Sequence, residues 1–205
     1  MAIDLQKGNQ VTLVKQNGEP LTQVCIGLNW GQIKKKAFFG LLSRGATEVY
    51  LDCAASLFGT EKELIETVCY KQLCSADRAV RHSGDDRKGD AGREDEADNE
   101  IITIDFSKRN NKTQSIVVFL NSFEGQDFAA IPYSKIRIYE GTPERMGSVF
   151  AAFNVSSEAL FEGQVSMVMG RFYHAGGNWK FEAIGEPFEA QKMSAVVEMI
   201  RKNFA

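Results

Sequence analysis

The sequence predicts a mainly β protein, a two-sheet antiparallel β-sandwich with a C-terminal helix, on three observations. Strand-like runs recur at roughly ten-residue spacing between turn residues. Fourteen Phe stand against only four Pro, with 18 Gly spread through the chain, a balance that suits aromatic strands joined by turns. A sustained amphipathic helical pattern closes the chain. The 205 residues, 43% of them hydrophobic, suffice for a buried core. No linker composition or internal repeat divides them, so 1–205 reads as one domain.

Residues 10–16 and 22–30 are β-type runs separated by the turn cluster Asn17-Gly18-Glu19-Pro20. In the second run Val24, Ile26 and Leu28 alternate with Cys25, Gly27 and Asn29, which puts the apolar set on one face. Residues 31–47 carry Lys34-Lys35-Lys36 and the breakers Gly40 and Gly45, and read as a long loop with a solvated basic face. Residues 48–58 read as a largely buried strand interrupted by one charge, Asp52. An unpaired carboxylate inside an apolar run is costly unless a cation or a set of donors receives it. Residues 61–73 fit either a strand pair or a helical turn followed by a strand. The alternating run 101–106 and the continuously apolar run 115–121, joined by polar 108–114, suggest two strands paired antiparallel. Runs at 135–139, 148–155, 164–174 and 178–184 continue the series, and Ala175-Gly176-Gly177 makes a tight hairpin between the last two. Met193, Val196, Val197, Ile200 and Phe204 share one face of a helix over 191–204.

Composition narrows the function. A net charge of −3 and a pI near 5.5 argue against a nucleic-acid binder that works by neutralising phosphates. No apolar run approaches membrane-spanning length and residues 1–7 lack a signal-peptide pattern, so a soluble, intracellular protein is expected. Cys25, Cys53, Cys69 and Cys74 have no C-x-x-C spacing and read as free, mostly buried thiols of a reducing compartment.

Acidity is concentrated in 82–100. Eight carboxylates (Asp85, Asp86, Asp90, Glu94, Asp95, Glu96, Asp98, Glu100) face three cations (Arg87, Lys88, Arg93), so the remainder of the chain is slightly positive. Gly84, Gly89 and Gly92 let carbonyls turn inward at positive φ, and hard divalent cations take six to eight oxygens on flexible loops of this kind. An EF-hand is excluded because both flanks read as strands and its acid spacing is missing. Zinc is disfavoured, since the donors are hard oxygens with His82 the one nitrogen nearby, and magnesium stands as the alternative to calcium.

Five motifs occur in one order: Val24-Cys-Ile-Gly-Leu-Asn-Trp30, Leu51-Asp-Cys-Ala-Ala55, His82-Ser-Gly-Asp-Asp-Arg-Lys-Gly89, Asp98-Asn-Glu100 and Gly177-Asn-Trp-Lys-Phe-Glu-Ala-Ile-Gly185. Together they resemble the TerD-domain family of tellurium-resistance and general stress proteins, over about residues 9–188. Phe38-Phe39-Gly40 and Asn121-Ser-Phe-Glu-Gly-Gln-Asp-Phe128 resemble its TerZ and TerX branch most. The resemblance implies a cytoplasmic, non-enzymatic, calcium-binding β-sandwich linked to tellurite and other stress resistance. Its implied partners are other Ter-family or stress proteins, and recruitment to a membrane-associated complex is left open. By motif position, Asp52 matches the second aspartate of the family's D-L-D-A-S. Asp85 and Asp86 match its G-D-N pair, Gly89 the glycine closing that turn, and Asp98 and Glu100 its D-D-E ending. The candidate metal set is therefore Asp52, Asp85, Asp86, Gly89, Asp90, Glu96, Asp98 and Glu100, with the choice among the acids of 90–96 open. Tyr50 stands where the family has the first aspartate, and the compact G-D-G-D-D-E is replaced by Arg93–Glu100. Where the family is expected to hold two calcium ions, one intact site and one weakened or absent are predicted.

Two other classes of function fit the residues less well. A metal-dependent hydrolase would pair Asp52 with Asp85, yet the chain carries no nucleophile elbow, P-loop or supported Ser/His/Asp set, and His82 and His174 read as structural. A small-molecule module would line an aromatic cleft with Trp30, Trp179, Phe123 and Phe128, although aromatics within strands usually belong to the core.

Overall fold

The computed structural model describes residues 3–4, 8–15, 17–34, 46–90, 97–154 and 159–205. Among these, two six-stranded sheets form the sandwich. The first is built from β1 (Ile3–Asp4), β3 (Gln23–Trp30), β8 (Val80–His82), β9 (Glu100–Asp105), β11 (Ser134–Thr142) and β12 (Arg145–Asn154), in the order β1-β12-β11-β3-β9-β8. The second contains β2 (Gln10–Thr12), β6 (Leu51–Phe58), β7 (Leu64–Val68), β10 (Ser115–Ser122), β13 (Ser166–Ala175) and β14 (Asn178–Phe188), in the order β2-β14-β13-β10-β6-β7. Pairing is antiparallel throughout both sheets except where β1 runs parallel to β12. The short strands β4 (Ile33–Lys34) and β5 (Ala46–Thr47) pair with each other, inside the stretch expected to be loop. Residues 64–68 resolve the open reading of 61–73 as a strand.

The alternation in each strand sorts its side chains. Val24, Ile26 and Leu28 of β3 join Cys53, Ala55 and Leu57 of β6 and Ile116, Val118 and Leu120 of β10 in the core between the sheets. The opposite face of the second sheet is covered as well. Ala54, Phe58, Val117, Phe119, Val168 and Ile184 pack beneath Val196, Val197 and Ile200 of the helix α1 (Met193–Asn203). Covered on both faces, β6 and β10 are buried at every position, which is why their sequences read as continuous apolar runs.

Residues 101–106 and 115–121 do not pair with each other. β9 sits between β3 and β8 in the first sheet, and β10 between β6 and β13 in the second. The polar stretch between them is a crossover from sheet to sheet. A turn signal reports a change of direction and says nothing about which neighbour completes the ladder. Phe106 anchors the crossing by stacking on Trp179, with ring centroids 4.6 Å apart. The hairpin from β13 to β14 turns through Gly176 and Gly177 at φ +61° and +81°, as the sequence predicts. No helix among the described residues is long and apolar enough to cross a membrane. Cys25, Cys53, Cys69 and Cys74 are free thiols, and the first three are buried.

Gly170 sits at the irregularity in β13, where a Cβ would collide with the Phe181 ring and the Glu182 carbonyl of β14. Gly170→Ala should therefore cost about 1–3 kcal/mol by overpacking. Urea unfolding checks this as a lowered midpoint with an unchanged slope.

Candidate metal centre

At one end of the sandwich the start of β6, the end of β8 and the start of β9 converge. β7 pairs with β6 only from Ala55 onward, so the backbone of Cys53 has no strand partner on that edge. Side chains from the first sheet take its place. The Cys53 N–H donates to Glu100 Oε2 at 2.8 Å, and His82 Nε2 lies 3.0 Å from the Cys53 carbonyl. The Gly84 N–H donates to His82 Nδ1 at 3.1 Å, which leaves the ring hydrogen on Nε2, facing that carbonyl and Glu100 Oε2 3.4 Å away. Glu100, fully buried, also accepts from the Asp86 N–H at 3.3 Å.

Asp52 is held beside this arrangement and is only 5% exposed. Carboxylate oxygens of Asp52, Asp85 and Glu100 all lie within 4.8 Å of one another. Burial pushes the Asp52 carboxyl up to about 7, the Glu100 and Asp85 charges add to the rise, and His82 and Arg87 oppose it. Burial likewise raises Glu100 against the pull of His82. For His82, burial alone would lower the pKa, but its contacts with Glu100 and Cys53 outweigh it and hold the group above its ordinary value. Glu100 is served by three donors, whereas Asp52 Oδ2 is buried and has no hydrogen-bond partner among the described residues. That orphaned oxygen is the test of metal fit. Calcium–oxygen distances of about 2.3–2.6 Å allow three oxygens with this spacing to share one ion, and the donors are all hard oxygen.

A second grouping lies next to the first and is differently supplied. Asp90 Oδ2 accepts from the Tyr133 hydroxyl at 2.6 Å and from Asn29 Nδ2 at 2.9 Å, and its Oδ1 accepts from Asn99 Nδ2 at 3.0 Å. Asp86 Oδ1 accepts the N–H groups of Lys88 and Gly89, while its Oδ2 accepts from Asn99 Nδ2 at 3.3 Å. Amides and a hydroxyl thus occupy the carboxylate oxygens here. Gly89 closes this turn at φ +66° with its Cα against the Trp30 indole, where a Cβ would collide. The Trp30 Nε1–H donates to the Val49 carbonyl at 2.9 Å, so the turn is fastened to the core.

Of the residues singled out in the sequence, Asp52, Asp85 and Glu100 meet directly, and Asp86, Gly89 and Asp90 form the neighbouring group. Asp98 lies apart. Its carboxylate fills the space left by the missing side chain of Gly27 and is paired with Arg137 of β11. Glu96 lies outside the described residues. Trp30 and Phe128 are buried in the core and Trp179 is nearly so, which leaves Phe123, 54% exposed, as the one solvent-facing member of the proposed aromatic set. Sequence reasoning missed Asn29, Asn99 and Tyr133, while the structural reading of His82 holds in its contacts with Cys53, Gly84 and Glu100. Asn29 carried a readable signal, a lone amide at the end of an apolar strand, by the same logic that picked out Asp52. Its Oδ1 is also buried without a partner.

The profile of the TerD domain matches residues 1–199. The chain is 29% identical over 183 residues to tellurium resistance protein TerZ of Serratia marcescens, with 89% of each covered. It is 27% identical over 209 residues to stress response protein SCP2 of Bacillus subtilis, covering 96% of this chain and 98% of that one. It is 30% identical over 195 residues to the uncharacterized protein YceE of the same organism, with 92% of each covered. Among solved structures, a homologue of telluride resistance protein from Streptomyces coelicolor superposes with a TM-score of 0.67 over 87% of this chain and 97% of that one. At 16% identity this likeness speaks for the fold alone.

Replacing the orphaned carboxylate by its neutral isostere has a signed consequence. In chelator, Asp52→Asn should raise stability by about 1–3 kcal/mol, because an amide removes the repulsion and can donate to Glu100 or Asp85. Chemical denaturation of both proteins in excess chelator measures the difference, and a destabilised variant would contradict it.

Proposed function

The chain belongs to the TerD-domain family, and on that footing we propose that it is a calcium-binding, non-enzymatic stress-response protein, linked to tellurite and other stress resistance and working as a metal-dependent interaction module in the cytoplasm. The observation that carries the metal reading is Asp52 Oδ2, buried without a partner beside Asp85 and Glu100. Calcium would be held by these three carboxylates and would supply the positive charge they lack. The chain's own part is to keep the acids together. The Cys53 and Asp86 N–H groups and His82 hold Glu100, and Arg87 holds Asp85 through its Nε at 2.9 Å. Bound metal fastens the connection between β8 and β9 to the edge of β6 and so shapes the surface a partner meets.

The second group supports a weaker site, since its acids already accept hydrogen bonds from Asn29, Asn99 and Tyr133. The non-enzymatic reading is supported by His82, the histidine beside the acids, whose two ring nitrogens are spent on Gly84 and Cys53 and so are not available as a base. The partners proposed are other Ter-family or stress proteins. A net charge of −3 gives no basis for a nucleic-acid partner.

Calorimetric titration should find one tight calcium site and at most one weaker one. At calcium one hundred times the dissociation constant, the melting temperature should rise by about 5–10 °C over that in chelator. Asp52→Asn should abolish the shift. A wild-type melting temperature indifferent to calcium and chelator, or two equally tight sites, would overturn the reading.

A further inference from the structure

Beside Asp52 the surface opens into a cleft of about 240 Å3, near the lower end of the sizes seen for small-molecule sites. Its aromatic wall comes from three segments distant in sequence: Tyr50 before β6, Tyr70 after β7 and Phe123 after β10. Tyr70 and Phe123 meet edge to face, with ring centroids 5.9 Å apart at 81°. The wall is fixed by backbone contacts, because the Phe123 N–H donates to the Tyr50 carbonyl at 3.0 Å and Gln191 Nε2 donates to the Phe123 carbonyl at 3.0 Å. Asp52 and Asp85 line the same cleft. An exposed phenyl ring held rigidly beside a buried carboxylate with an orphaned oxygen contributes little to folding, and the pairing has the composition of a ligand site.

Charge indicates what enters. Arg87 lines the cleft and spends its Nε on Asp85, which leaves its terminal nitrogens without a protein acceptor among the described residues. The rim carries Glu124, and Lys71 sits 5.3 Å over the Tyr70 ring, one charge of each sign. A divalent cation on the three carboxylates, taken with Arg87, would bring that side of the cleft to neutrality. It would then receive an oxyanion, while Phe123 and Tyr70 offer a face to something flat and apolar.

We propose that this cleft binds a small organic anion, its carboxylate head received by Arg87 and the calcium site at Asp52 and Asp85, and its apolar body packed on Phe123 and Tyr70. This rests on the calcium reading above and adds to it a ligand class, so that metal and ligand bind together. Of the aromatic set expected from the sequence, Phe123 alone lines this cleft.

The test uses the full chain, with 3-phenylpropionate as probe and phenethylammonium as its opposite in charge, followed by amide chemical shifts in the NMR spectrum and by calorimetry. In calcium, the carboxylate should shift resonances around residues 50, 70 and 123, and its affinity should fall about tenfold or more in chelator and in Phe123→Ala. Phe123→Tyr should retain binding, and the calcium isotherm of Phe123→Ala should match that of the wild type. A normal calcium isotherm with no carboxylate binding, with binding indifferent to Phe123→Ala, or with phenethylammonium preferred, overturns this proposal alone. A wild type that takes up no calcium overturns both.

Discussion

The end of the sandwich depends on how unevenly two buried carboxylates are served. Glu100 enters the interior with the Cys53 and Asp86 N–H groups and the His82 ring arranged around it. Asp52 enters with one oxygen that no hydrogen-bond donor among the described residues serves. A low-dielectric site makes an unmet charge costly and a met one strong. The same surroundings therefore penalise the Asp52 charge in the bare protein and would give a cation its purchase.

Asp52 cannot swing away, and the reason lies in the architecture. β6 is covered by the first sheet on one face and by α1 on the other, so its backbone is clamped along the whole of Leu51–Phe58. Pairing with β7 stops at Ala55, three residues short of Asp52. The unpaired edge this leaves is what Glu100 and His82 occupy. A truncated ladder in one sheet thus becomes the docking edge for side chains of the other, and the centre is assembled from both halves of the sandwich.

The neighbouring group shows what the alternative looks like. Asp86 and Asp90 sit among Asn29, Asn99 and Tyr133, and their oxygens are taken up by amide and hydroxyl donors. Such a network holds its acids without a metal and competes with one. Tyr50 shares the aromatic wall of the cleft beside Asp52 with Tyr70 and Phe123.

β4 and β5 fall in a stretch that reads as loop, and 61–73 stays open from sequence alone. Most of the strands, the closing helix, the concentration of acid in one segment and, through five motifs in order, the family could be read along the chain. These are properties of neighbouring residues, and periods of two and 3.6 can be read locally. The isolated charge of Asp52 in an apolar run was legible for the same reason. Tertiary structure alone decided which partner each acid meets. Glu100 goes to Cys53 across the sheets, and Asp98, two residues earlier, goes to Arg137 in the gap left by Gly27. It also decided that 101–106 and 115–121 belong to different sheets, and that Tyr50, Tyr70 and Phe123 share one wall. A carboxylate's fate is set by the charges and donors that closure of the sandwich brings within a few ångströms, and residues so distant along the chain leave no mark on each other's local pattern.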